Sequence, residues 1–294
     1  MNLSRAKTVL IYTFLLLNVF LCYQLWQDQG YGGFAAFGRK EEISRLEGEL
    51  QKAGLLLETD LTKTIGPMAY LVVEPWHYSP AEVIASFWEI LEGKGEPRPE
   101  VAIHLGAGDE EKEENNLAGY FFGRYELIPS KTGVATLKYM LQENEKDELI
   151  AREKIAWQLV NNLTIFEDFV PDYSCSTGEG KIVLFRQEYE GFPLFAGYLH
   201  YSSLERQRIV QFYRLEVLGF AGQEREIVPP STALLRFLEV YNGTEAGACI
   251  IEFSLGYYTR EYDAERWEIP PVWRIRLNNG ELYYINAFTG NVEI

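Results

Sequence analysis

The longest apolar run of the chain stands near its start. From Thr8 to Trp26 there is no charged residue, a length that crosses the hydrocarbon core of a bilayer as a helix. Beyond it the hydrophobic pattern breaks into short periodic segments. Ile43, Leu46, Leu50 and Ala53 recur at helical spacing from Arg39 to Ala53, and Gly54 ends that run. A second helix opens at "SPAE": Pro80 suits the first helical position, Ser79 and Glu82 make a capping box, and Val83, Ile84, Phe87, Trp88 and Leu91 form its apolar face. A third is expected from about Glu145 to Phe166. A fourth follows Pro229 and Pro230, with Ser231 as cap and Asn242-Gly243 as stop.

Between these helices lie short runs that read as strands. "LLLETDL" and "MAYLVVE" precede the second helix; "AGYFFGRYELI" and "GVATLKYML" follow it. "KIVLFRQEY", "LFAGYLHYSS" and "RIVQFYRLEVLG" follow the third helix, and "GACIIEFSLGYY", "PVWRIRL" and "ELYYINAF" follow the fourth. Asn279-Gly280 between the last two tolerates positive φ and marks a hairpin. The pattern predicts an α+β fold: an N-terminal transmembrane helix, then an ectodomain of repeated helix-plus-antiparallel-sheet units. The repetition is one of pattern, since no sequence-identical repeat is present. The expected segments are a cytoplasmic tail (1–7), a transmembrane signal anchor (8–26), a juxtamembrane linker (27–38), and two ectodomain parts, 39–145 and 146–294. The linker, "QDQGYGGFAAFG", is rich in glycine and nearly uncharged.

Charge fixes an orientation. Arg5 and Lys7 precede the apolar run and Asp28 is the first charge after it. The positive-inside rule then leaves the N-terminus in the cytoplasm and exports the rest. A cleaved signal peptide would have a shorter apolar core and small residues at its end, whereas Tyr23, Gln24, Leu25 and Trp26 stand there. The net charge is −16, and aromatic residues make up 14% of the chain. The negative charge disfavours nucleic acid as a partner and equally serves solubility; the aromatics favour strands. Cys22 lies in the apolar run. Cys175 and Cys249 lie in the exported part, where they can pair or stand as free buried thiols.

Candidate chemistry is sparse. His77, His104 and His200 have no other ligand at metal-binding spacing. "GEGK" at Gly178–Lys181 lacks the spacing of a phosphate loop and reads as a turn. The acidic run from Asp109 to Glu114 lacks the alternation of a calcium loop and reads as a solvated loop. Glu167, Asp168 and Asp172 could supply an acid–base pair but read as a solvated helix end. No cofactor is implied. The apolar run itself contains Thr13 and Asn18. Phe14, Asn18 and Cys22 share one helical face, so Asn18 either bonds a neighbouring helix or is merely tolerated in lipid. With some seven residues inside, any effect in the cytoplasm must pass through a companion membrane protein.

Two stretches carry a family resemblance. "SRAKTVLIYTFLLLNVFLCYQLW" resembles the N-terminal anchor of the YycI family, and "PVWRIRLNNGELYYINAFTGNVE" resembles its C-terminal segment. The latter is also similar to the close of PepSY-type repeats, which have a cystatin-like form. Asn2-Leu3 departs from the Asp-Trp associated with the family. The resemblance implies a non-catalytic, single-pass regulator of the Yyc (Wal) sensor histidine kinase of Gram-positive bacteria. It implies a complex with the kinase and the accessory protein YycH, transmembrane contacts, and control of cell-wall metabolism. A surface-tethered module that binds a peptide, wall fragment or protease is the alternative, and a wall enzyme with dispersed carboxylates is a third.

Overall fold

The computed structural model describes residues 14, 17, 18, 44–59, 61, 66–91, 102–104, 119–130, 133–140, 149–177, 180–203, 207–243, 247–260 and 264–293. Helix α1 includes residues 44–52. It is followed by β1 (Leu55–Leu57), β2 (Met68–Pro75), α2 (Pro80–Leu91), β3 (Ala102–His104), β4 (Gly119–Phe122), β5 (Tyr125–Pro129) and β6 (Ala135–Met140). Then come α3 (Leu149–Asn162), β7 (Phe169–Thr177), β8 (Gly180–Tyr189), β9 (Phe192–Ser203), β10 (Gln207–Tyr213) and β11 (Leu215–Arg225). The chain closes with α4 (Pro230–Val240), β12 (Ala248–Tyr257), β13 (Trp267–Ile269), β14 (Pro271–Leu277), β15 (Leu282–Asn286) and β16 (Val292–Glu293).

Strands dominate, and they merge. A 13-stranded sheet runs β16-β15-β14-β12-β9-β10-β6-β5-β4-β3, with β1 on β12 and the β7–β8 hairpin on β9. A second sheet of three strands runs β11-β2-β13. The large sheet is mixed: β1 runs parallel to β12, and β12 meets β9 in parallel through one pair, Tyr257 with Leu194. Gly256 makes that junction possible, because a Cβ there would run into the Pro193 carbonyl oxygen.

Two apolar cores form on this frame. In one, Leu46 and Leu50 of α1 and Ala233, Leu234 and Phe237 of α4 pack on Ile250, Trp273, Ile275 and Ile285. In the other, Val83, Ile84 and Phe87 of α2 and Ala156, Leu159 and Val160 of α3 cover β4–β6 and β8–β10. Phe166 meets Phe87, Phe169 and Phe212 edge-on in its centre. Each core draws residues from both sides of position 145.

This architecture corrects the expected one. Repeated, PepSY/cystatin-like helix-plus-antiparallel-sheet units are absent from the described residues; in their place stands one large mixed sheet with a small three-stranded companion. The local pattern of helix then strands is present, but strands far apart in sequence pair with each other: β1 with β12, β2 with β11, β6 with β10. Among the described residues no helix is long and apolar enough to cross a membrane. Of the 8–26 run only Phe14, Leu17 and Asn18 are described, and they are helical and exposed.

Smaller corrections follow from backbone chemistry. α4 begins at Pro230 with Pro229 as N-cap and no side-chain cap, so Ser231 falls inside the first turn. Proline lacks the N–H that a cap would satisfy and suits that place. The third helix ends at Asn162 and tightens into a 3-10 turn at Thr164–Phe166.

Candidate functional site

Alternation along "PVWRIRL" builds the most distinctive site of the molecule. One set of β14 side chains, Trp273, Ile275 and Leu277, enters the first core. Trp273 stacks on Phe253 at 4.8 Å and donates from Nε1 to the Val228 carbonyl at 3.0 Å. The other set, Arg274 and Arg276, emerges on the opposite face of the sheet, beside Ser254 and Glu252 of β12. Both arginines are nevertheless buried, at 2% and 3% exposure, because the β7–β8 hairpin and the start of β9 cover them.

Two strand irregularities make that cover possible. The β7–β8 register shifts between Pro171 and Tyr173, leaving Asp172 as the bulged residue. A bulge re-aims a side chain, and here it turns Asp172 onto β14. The β8–β9 register shifts after Arg186, so that Phe195, Ala196 and Gly197 are extra. Phe195 lies under the Arg274 guanidinium at 4.0 Å, and Tyr173 under that of Arg276 at 4.8 Å.

The carboxylates are densely bonded. Asp172 accepts from Arg274 Nη1 at 3.0 Å and Nη2 at 2.5 Å, from Arg276 Nη2 at 2.6 Å and from Arg186 Nη1 at 2.9 Å. Glu252 accepts from Arg274 Nε at 3.1 Å and Nη2 at 2.5 Å, from Arg276 Nε at 3.0 Å and from the Ser254 hydroxyl at 2.6 Å. Burial pushes the Asp172 pKa up, but the bonds and charges of Arg274, Arg276 and Arg186 overcome it and hold the carboxyl below its ordinary value. Glu252 is likewise lowered against burial, first by the charge of Arg274. Tyr284, stacked on Tyr258 at 3.8 Å, borders the cluster, and burial pushes its pKa up to about 12.

A second polar network lies at the start of the hairpin. Gln187 donates from Nε2 to Asp168 Oδ2 at 2.8 Å and to the Leu215 carbonyl at 2.7 Å, while its Oε1 accepts from the Leu215 N–H at 3.1 Å. Its amide thus stands in for a peptide group between β8 and β11. Arg214 pairs with Asp168 and donates to the Ile165 carbonyl at 2.6 Å.

Glu167 is exposed at the close of the 3-10 turn, as a solvated helix end would be, but Asp168 and Asp172 are not. Asp168 and Asp172 open the hairpin and are each held by arginine. Their acceptors are occupied by guanidinium groups and, at Asp168, by the Gln187 amide, an arrangement that joins surfaces. Among the described residues no group of His, Cys, Asp or Glu is placed to hold a metal ion. His77 is exposed, and His200 lies between Leu184 and Gln211 in the sheet, its pKa lowered by burial. His104 lies on β3.

Of the residues singled out in the sequence, Phe14 and Asn18 are helical and exposed, while Arg5, Lys7 and Cys22 lie outside the described residues, as does the acidic run from Asp109 to Glu114. Cys249 is a buried free thiol beside Glu58. Cys175 sits on β7 opposite Ile182, Cys249 on β12 opposite Leu56. The Arg274–Arg276 site went unread because each arginine alone looks like the solvent face of a strand. Its signal is a pair of arginines alternating with Trp273, Ile275 and Leu277.

The fold and its cluster define a class: a β-rich domain whose most heavily bonded polar site pairs one sheet surface with another. The chain belongs to the YycI family, whose model, described as YycI protein, matches residues 135–288, more than half of the chain. The match contains all the residues of the arginine cluster. No curated protein matches the chain. Among solved structures, the Bacillus megaterium YpeB C-terminal domain is similar at 15% identity and a TM-score of 0.38, over 75% of this chain and 97% of that one. An uncharacterized protein from Eubacterium rectale is similar at 11% identity and a TM-score of 0.47, over 87% of this chain and 98% of the other.

Proposed function

We propose that this chain is a non-catalytic, membrane-anchored regulator of the Yyc (Wal) sensor histidine kinase and, through it, of cell-wall metabolism. In this reading Thr8 to Trp26 spans the membrane, Arg5 and Lys7 keep the N-terminus inside, and the sheet-built body is extracytoplasmic. The observation that carries the reading is the family match over residues 135–288. The saturated bonding of Asp172 and Glu252 supports a role in contact rather than in turnover.

The kinase and the accessory protein YycH are the proposed partners, engaged through the span and the ectodomain. The face of Phe14, Asn18 and Cys22 is the proposed helix contact; a bond from Asn18 to a neighbouring helix contributes on the order of 0.6–2 kcal/mol. Replacing Thr8–Trp26 by an unrelated anchor is expected to abolish kinase control while leaving the protein in the membrane. Asn18→Leu is expected to reduce recovery of the kinase on co-purification. Full regulation by the swapped protein would sink the reading and favour a tethered binding module with a passive anchor.

A further inference from the structure

Two sheets end at one cavity. Among the described residues, β13 is an edge of the small sheet and pairs with β2 alone, and β16 is an edge of the large sheet and pairs with β15 alone. A cavity of about 440 Å³ touches both edges, lined by Trp267 and Glu268 of β13, Glu293 of β16, and Tyr258 and Arg260 just beyond β12. That size admits a small ligand or one residue of another chain. Most of its walls are held from behind. Tyr258 stacks on Tyr284 at 3.8 Å, Glu293 accepts from Asn286 Nδ2 at 2.8 Å, and Trp267 packs against the first core. Glu268 is exposed.

We propose that this cavity takes the ammonium group of a lysine carried on an extended segment of a partner protein. Two carboxylates and two aromatic rings line it, and an ammonium ion is favoured by both, through charge-assisted hydrogen bonds and through the ring quadrupole. Arg260, the one cation among the described lining residues, is exposed, so water and salt screen it. The net charge of −16 draws a cationic segment toward the body. The main chain argues for a segment rather than a free amine. The Trp76 N–H donates to the Arg214 carbonyl at 3.2 Å, on the β11 side of β2. By alternation Val73 and Leu71 turn the other way, toward Trp267 and Ile269 of β13. The N–H and C=O of Glu268 therefore point away from β2, along the open edge, where an added strand can bond them while its lysine enters the cavity. This site stands apart from the contact proposed for the membrane span.

Equilibrium dialysis of the full chain in detergent micelles against acetyl-Val-Lys-Val-amide tests it, with norleucine in place of lysine as the neutral match. The lysine peptide is expected to bind saturably at one site, and the norleucine peptide at least about tenfold more weakly. Glu268→Gln and Glu293→Gln should each weaken the lysine peptide roughly three- to fivefold. Both should keep the urea midpoint of the parent, since Glu268 is exposed and a glutamine at 293 still offers Asn286 an acceptor. n-Butylamine, which has the ammonium without the main chain, is expected to bind more weakly than the peptide. Equal binding of the two peptides would overturn the proposal. So would binding that neither substitution weakens, which is attraction to the net charge alone. Equal affinity for n-butylamine would make the cavity a small-amine site and overturn the assignment to a segment, and absence of saturable binding would overturn it outright.

Discussion

Asp172 shows how much one side chain can carry at the junction of two surfaces. Removing it leaves Arg274 and Arg276, both nearly fully buried, without their second carboxylate, and breaking a buried pair in this way costs about 3–5 kcal/mol. Asp172→Ala should lower the stability of the protein by that order in urea denaturation. Acid should mimic the substitution. The Asp172 and Glu252 carboxyls titrate below their ordinary values in the folded state, so the folded state binds fewer protons than the unfolded one as the pH falls past 4.5 and 3.8. Their stabilisation is present above those values and is lost as pH drops through the folded pKa values. His200 acts in the same direction but earlier. Burial lowers its pKa from 6.5, so its contribution begins to fade as pH falls through 6.5. The urea midpoint should therefore decline in two stages, and His200→Gln should remove the upper one. Little of this could be read from the sequence, where Asp172 was one of several acids near a helix end and nothing marked it as the bulged residue of a strand.

At the scale of elements, local signals were legible and irregularities were not. Asn279-Gly280 makes the expected hairpin turn: Gly280 has φ of 92° and donates to the Leu277 carbonyl at 2.9 Å, while Asn279 Oδ1 accepts from the Glu281 N–H. α2 begins at Pro80 as its apolar spacing and proline require. The bulges at Asp172 and at Phe195–Gly197 left no sequence trace, because their cause is tertiary: they exist where the hairpin must reach β14. Glycine substitution separates the two kinds of position. Gly256→Ala would set a methyl against backbone at the β9–β12 junction, and a drop of at least about 1–3 kcal/mol is expected from such overpacking. Gly48 lies in α1 with open space around its Cβ position. Gly48→Ala should raise stability by about 1 kcal/mol through helix propensity alone. Thermal or urea unfolding of the two variants reads opposite signs.

Over the whole molecule, the expected repeat of helix and sheet fails because strand pairing is not local. The sequence places each strand beside its neighbours in the chain, yet β1 joins β12 across nearly two hundred residues and β6 joins β10 around α3 and the hairpin. The first pair is parallel and the second antiparallel, and long-range pairing of either kind is closed by no tight turn and so leaves no turn signal. The consequence is that both cores hang on shared strands. β9 gives Leu194 and Ala196 to the first core and Leu199 and Tyr201 to the second, and the β10–β11 junction gives Phe212 to one and Tyr213 and Leu215 to the other. Neither core can lose its strands without unsettling the other, so the described body should unfold as one unit rather than in two steps. Phe237→Ala cuts into the first core and Phe212→Ala into the second, and each truncation of a fully buried phenylalanine costs about 3–5 kcal/mol. Each variant should show one lowered urea midpoint, coincident by far-UV circular dichroism and by tryptophan fluorescence. A Phe237→Ala protein in which the second core kept the parent midpoint would instead show two independent folding units, and the shared strands would then be a seam rather than a common frame.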